Sequence, residues 1–244
     1  MWSSIEQIIK PESFEEALVL QEDSSSTLFA GGSYVVAKKD LRIQTLLDIN
    51  HLLSDSMENL DDGLHLGSGI TLQQMLTTEN ETLSKAIKSS CPSKNIRNQR
   101  TLGGEIAESR PDSDLLVYLN AAGTMLQLND TDTFVSLNNW PGQGVITRVH
   151  IPKGNIKIER VAVLDSAPAF VIAALLESSE RLILAVGGKS SRICTCETPT
   201  PPGEADIRHF MDEVESIFVD DHLGSSAYKR QLVSNLFHEI SITL

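Results

Sequence analysis

Apolar positions fall into two rhythms along the chain. Compact apolar runs at residues 27–30, 43–49, 125–128 and 145–151 predict buried strands: each is short and bounded by polar or turn-forming residues. Elsewhere the apolar residues recur at helical spacing. Ser13 followed by Glu16 forms a capping box that opens a short helix with Phe14, Ala17 and Leu18 inward. Thr71 and Gln74 repeat the box ahead of a helix through Met75, and residues 81–89 place Leu83 and Ile87 on one face. Residues 111–114 start a helix that carries Leu115, Leu116, Leu119 and Ala122 inward and stops at Gly123. Residues 63–69 predict a short strand and a turn, and the polar stretch 54–63 a flexible connection.

After Pro152 the pattern changes. Residues 167–176 and 181–186 read as a hairpin joined by the solvated turn Glu177-Ser178-Ser179-Glu180. Residues 198–203 hold three of the nine prolines and predict a connector. Ile207, Phe210, Met211, Val214, Ile217 and Phe218 follow helical spacing, and so do Tyr228, Leu232, Leu236 and Ile240. The whole predicts an α+β fold without internal repeats, in three consecutive segments: 1–53, 54–152 and 153–244.

Charge narrows the function classes. The 244 residues carry a formal net charge of −13, which argues against a broad electrostatic grip on nucleic acid or an anionic membrane. No apolar run approaches the roughly 20 residues of a membrane span. The N-terminus lacks the basic-then-apolar plan of a signal peptide. Three cysteines, Cys91, Cys194 and Cys196, are an odd count in a large chain, which predicts a reducing, cytoplasmic setting. The Cys194/Cys196 pair has no second pair to complete an iron–sulfur site. The six histidines show no metal-ligand spacing in sequence, so no metal site is expected, and no nucleophile–base–acid arrangement predicts a catalytic side chain.

Two glycine pairs carry the candidate chemistry. Gly31-Gly32 follows the strand 27–30 within Ala30-Gly31-Gly32-Ser33-Tyr34-Val35, and Gly103-Gly104 lies in Thr101-Leu102-Gly103-Gly104-Glu105-Ile106 ahead of a helical pattern. Glycines at a strand end allow φ > 0 and let a ligand approach the main chain, and successive amides in such a turn form an anion-binding concavity. Each pair alone reads more readily as a tight turn and nothing more. Together, flanked by the hydroxyls of Ser33 and Thr101, they point to a pyrophosphate site built from amides; the spacing is not GxGxxG.

The order AGGSY, LHLGSGITL, IRNQRTLGGEIAESRPDSDLL and the tail LGSSAYKRQL resembles the flavoprotein (medium) subunit of the molybdenum hydroxylases, the xanthine dehydrogenase and carbon monoxide dehydrogenase family. The GGEIA string is similar to that of a bacterial branch. The resemblance implies a PCMH-type FAD-binding fold of two α+β subdomains, followed by a small α+β domain with an antiparallel sheet and helices. It implies FAD held by the loops Ala30, Gly31, Gly32, Ser33, Tyr34, Val35 and Thr101, Gly103, Gly104, Glu105, Ile106. Asp114 would lie near the adenosine ribose or, on the residue's own reading, serve the helix dipole. Arg97 is a brace of the loop or a ligand.

Departures from the family pattern bear on this site. Glu105 and Glu108 stand where asparagine is usual, Arg110 where a small hydroxyl is usual, and Tyr34 where an acid is common. Glu105 would repel a phosphate unless Arg110 compensates, or it reaches a flavin donor or a loop amide. The stretch between Leu128 and Val145 is shorter than is typical. The resemblance implies an electron-transfer subunit, with the molybdenum cofactor on a large partner subunit, [2Fe–2S] clusters on a small one, and an acceptor such as NAD. Alternatives are a flavin-poor scaffold subunit and a stand-alone flavin oxidase or reductase.

Overall fold

In a computed structural model of the chain, residues 2–242 are described. The first elements are β1 (Gln7–Ile9), α1 (Phe14–Gln21), β2 (Ser26–Phe29), α2 (Val35–Lys38), β3 (Thr45–Asp48), β4 (Met57–Leu60), β5 (Gly63–Gly67) and α3 (Leu72–Met75). Next come α4 (Glu81–Ser90), α5 (Lys94–Arg97), α6 (Leu102–Glu108), α7 (Asp114–Ala121), β6 (Met125–Leu128), β7 (Phe134–Ser136) and β8 (Ile146–Pro152). The remainder holds β9 (Ile156–Val161), β10 (Val171–Glu177), β11 (Arg181–Gly188), β12 (Cys194–Pro199), α8 (Glu204–Ile217) and α9 (Ser226–Ile242).

These elements form two compact units from interleaved stretches of chain. One takes the residues up to 77 with 93–108 and 125–150; the other takes 78–92, 109–124 and the chain from 151 onward.

The first unit contains two sheets. A parallel sheet in the order β1-β3-β2 sets Leu28 beside Leu47 and Ile8 beside Leu46. Helix α1 starts where the capping residue Ser13 accepts from the Glu16 amide, while the Glu16 carboxylate accepts from the Glu12 amide at 2.6 Å. Its inner face, Phe14, Ala17 and Leu18, packs on Leu28, Ile49 and Val145. Asn50 ties the end of β2 to that of β3, its side-chain amide donating to the Ala30 carbonyl at 3.1 Å. The second sheet runs β4-β5-β8-β6-β7. Here the stretch expected as a flexible connection is corrected: residues 57–60 form β4, paired antiparallel with β5. All four of its side chains are exposed, so apolar periodicity has nothing to report; the chain turns at Asp61-Asp62 before Gly63 opens β5.

The second unit is an antiparallel sheet in the order β12-β11-β10-β9. Strands β10 and β11 are apolar at almost every position because helices cover both faces. Val171, Ala173, Leu175, Leu184 and Val186 meet Phe210 and Val214 of α8 and Val233 and Leu236 of α9. Helices α4 and α7 pack on the same sheet, where Ile172, Ala174, Ile183 and Ala185 supply a second buried row. Burying one such leucine or isoleucine completely stabilises by about 1.5–3 kcal/mol, so these two rows dominate the unit. The connector expected at 198–203 begins later than predicted, since β12 extends through Pro199. Within α9 the Lys229 side chain is fully buried, donating to the Val219 carbonyl at 2.7 Å and pairing with Asp221 at 2.9 Å.

Candidate functional site

The first glycine loop links β2 to α2. Gly32 adopts φ 69°, and a Cβ there would lie 2.5 Å from the Phe29 ring, so both conformation and space select glycine. At Gly31 the reason is proximity: a Cβ would sit against the Gln99 carbonyl oxygen, so the backbone of one loop packs on that of the other. The chain then turns into α2, where the Gly32 carbonyl accepts from Val36 at 2.9 Å. Among the described residues, the amides of Gly31, Gly32, Ser33 and Tyr34 make no hydrogen bond. Four consecutive N–H groups thus remain as donors beside a cavity of about 310 Å³.

The second loop is built differently from expectation. Gly103 and Gly104 lie inside the first turn of α6 and neither has a positive φ. The Leu102 amide donates to Ile70, the Gly103 amide to Ser68 at 2.8 Å, and the Gly104 amide to the Thr101 hydroxyl at 3.2 Å. Those amides are already committed, so this loop supplies a close-fitting wall. A Cβ on Gly103 would press on Ser68 at 2.9 Å, and one on Gly104 on the Thr101 hydroxyl at 2.9 Å.

The cavity lies within the first unit. Ala30, Gly31, Gly32, Ser33, Tyr34 and Val35 line it from the first loop, and Thr101, Gly103 and Gly104 from the second. Arg100 is the one cation among the described lining residues. Its Nε donates to Ser33 Oγ at 3.1 Å and its Nη1 to Glu105 Oε2 at 3.0 Å. Glu105 is fully buried behind the loop. Arg100, five residues before Glu105, pairs with its carboxylate at 3.0 Å, and Arg110 pairs with Asp112 at 3.6 Å. Arg97 is buried in α5, its Nε donating to Gln73 of α3 at 3.1 Å, and it is not among the residues lining the cavity. Glu105 and Ile106 likewise do not line the cavity. The sequence alone singles out neither Arg100 nor Trp140, which lines the cavity from the turn before Gly142 and donates its indole N–H to the Gln143 carbonyl. The Pro141-Gly142 dipeptide marks that turn.

Asp114 belongs to the second unit, at the first position of α7. Its carboxylate approaches Arg160 Nε at 3.2 Å, and its second oxygen, Oδ2, is buried without a hydrogen-bond partner among the described residues. Burial pushes its pKa up to about 6 despite the opposing Arg160 charge. In the same unit, burial and then Glu213 push the Cys194 thiol up to about 11, so it stays protonated near neutrality.

Comparison with known proteins defines the class. Residues 3–154 match the family described as the FAD binding domain in molybdopterin dehydrogenase, and the chain belongs to that family. It is 26% identical over 254 residues to the uncharacterized protein YgfM of Escherichia coli K12, covering 97% of this chain and 95% of that one. Its fold is similar to reconstituted CO dehydrogenase from Oligotropha carboxidovorans, with TM-score 0.71, 14% identity, and 97% and 96% of the two chains covered. It is also similar to quinoline 2-oxidoreductase from Pseudomonas putida 86, with TM-score 0.70, 16% identity, and 100% and 97% covered. The α+β architecture agrees with that class, and no helix among the described residues is long and apolar enough to cross a membrane. The residues present fit the dianionic middle of FAD: a row of unpartnered amides and one neutralised guanidinium beside a cavity at the small end of the range for ligand sites.

Proposed function

We propose that the chain is the FAD-binding electron-transfer subunit of a molybdenum hydroxylase-type complex. The observation that carries this reading is the row of unpartnered amides at Gly31, Gly32, Ser33 and Tyr34 beside a cavity whose one cation is Arg100. In this reading the four amides and the Ser33 hydroxyl bind the pyrophosphate. Ser33 accepts from Arg100, which leaves its own hydrogen to donate to the anion. Glu105 holds Arg100 toward Ser33 and lowers the net charge of the group. Thr101, Gly103 and Gly104 shape the facing wall. Bound FAD supplies the redox chemistry, and no side chain of the site has to act as acid or base. Partner subunits carrying molybdenum cofactor and [2Fe–2S] clusters would deliver electrons, and an acceptor such as NAD would take them.

The reading is tested by substitution in the first loop. Ser33→Ala should weaken FAD binding by about 1.5–3 kcal/mol, one hydrogen bond to a charged group, without changing the unfolding midpoint. Unaltered affinity in a folded Ser33→Ala protein contradicts the assigned role. A wild-type chain that takes up no FAD, yet assembles with partner subunits, would point instead to a scaffold that has kept the fold.

A further inference from the structure

We infer that Asp62, His65 and His150 form a binding site for a divalent transition metal such as Zn²⁺, separate from the glycine-loop cavity. His65 lies on β5 and His150 on the neighbouring strand β8 of the five-stranded sheet. Asp62 sits in the turn between β4 and β5. The imidazole rings stack with centroids 4.2 Å apart and planes 17° from parallel. Both Nε2 atoms point to the same carboxylate: His65 Nε2 is 3.0 Å from one Asp62 oxygen and His150 Nε2 is 3.6 Å from the other. The His150 Nε2 atom is buried and has no hydrogen-bond partner among the described residues. All three donor atoms fall within 4.8 Å of one another.

An ion pair alone accounts poorly for this arrangement. One carboxylate needs one imidazolium, and a second stacked beside it would repel the first. A buried ring nitrogen without a donor or acceptor is costly. A divalent cation resolves both. Each neutral imidazole gives its Nε2 lone pair and the carboxylate lowers the charge; bond lengths of about 2.0–2.2 Å suit the 3.0 and 3.6 Å nitrogen–oxygen separations, and the two rings, stacked 17° from parallel, splay so that both lone pairs converge on the ion. Two histidines and one carboxylate also leave coordination positions open for water. Such an ion would clamp the β4–β5 turn to β8. The histidines escaped sequence reasoning because sheet pairing, not local spacing, brings them together.

The experiment is Zn²⁺ titration of the EDTA-dialysed full chain by calorimetry, repeated with Co²⁺ to read the visible ligand-field bands. The expected result is one saturable site, a Co²⁺ spectrum with nitrogen and oxygen ligands, and a Zn²⁺-dependent rise in the unfolding temperature. Loss of an outer partner alone costs about 10–100-fold in metal affinity, so His65→Asn or His150→Asn should cost at least that. Because His65 is the more exposed ring, His65→Asn serves if His150→Asn does not fold. No saturable Zn²⁺ uptake by the wild type, or equal uptake by a folded His65→Asn protein, overturns the proposal.

Discussion

At the scale of single residues, charge is used sparingly and in pairs. Glu105 has no access to water, so Arg100 both neutralises it and orients Ser33. Arg100→Ala removes one side of a buried pair and should cost about 3–5 kcal/mol of stability by chemical denaturation. The double variant Arg100→Gln/Glu105→Gln should recover part of that loss; equal loss in both would refute a charge-pair origin. Asp114 makes the opposite case. Its pKa rises from 3.8 to about 6 on folding, so the folded state holds its proton more tightly. Stability from this group is fully present below pH 3.8 and disappears as pH rises through about 6, a total of about 3 kcal/mol. Asp114→Asn abolishes that dependence, so the stability difference between variant and wild type should shift in the variant's favour from pH 4 to pH 7. Identical pH profiles would contradict this assignment. Sequence marks Asp114 as a match to the family pattern and Glu105 as a departure from it; their partners, Arg160 and Arg100, follow only from packing.

At the scale of elements, what was legible depended on burial. Ser13 and Thr71 cap helices as read, although only Thr71 completes the box because Glu16 turns to the Glu12 amide, and β10 and β11 announce themselves as apolar runs because helices cover both faces. β4 was missed because it has no buried face, and α7 was read correctly as a helix while its packing on β10 and β11 had no local signature. The second glycine pair illustrates a sharper limit. A Gly-Gly pair ahead of a helical pattern suggests a turn, yet Gly103 and Gly104 are helical and are glycine because Ser68 and Thr101 crowd them. The first pair was read for the right reason at Gly32 and for an incomplete one at Gly31, whose constraint comes from the Gln99 carbonyl. Gly31→Ala should therefore push the two loops apart. The expected outcome is a loss of FAD affinity that exceeds the loss of global stability, read by titration and by urea unfolding of the same variant.

For the molecule as a whole, the fold and the cofactor class follow from different evidence. The family match covers residues 3–154, which include all of the cavity's lining residues. The acidic surface, with net charge −13, contributes nothing to attracting an anionic cofactor, so affinity has to come from the local amides and Arg100. The most direct measurement is the visible absorption spectrum of the purified chain after addition of FAD and desalting, for the wild type and for Gly32→Asp. Asp at a φ of 69° costs about 1–2 kcal/mol in conformation alone, its Cβ has to displace the Phe29 ring, and it brings a carboxylate to the amide row. A flavin band retained by the wild type and absent from a folded Gly32→Asp protein is the predicted result. A wild-type chain that loses all FAD on desalting, or a variant that retains it equally, would contradict the account.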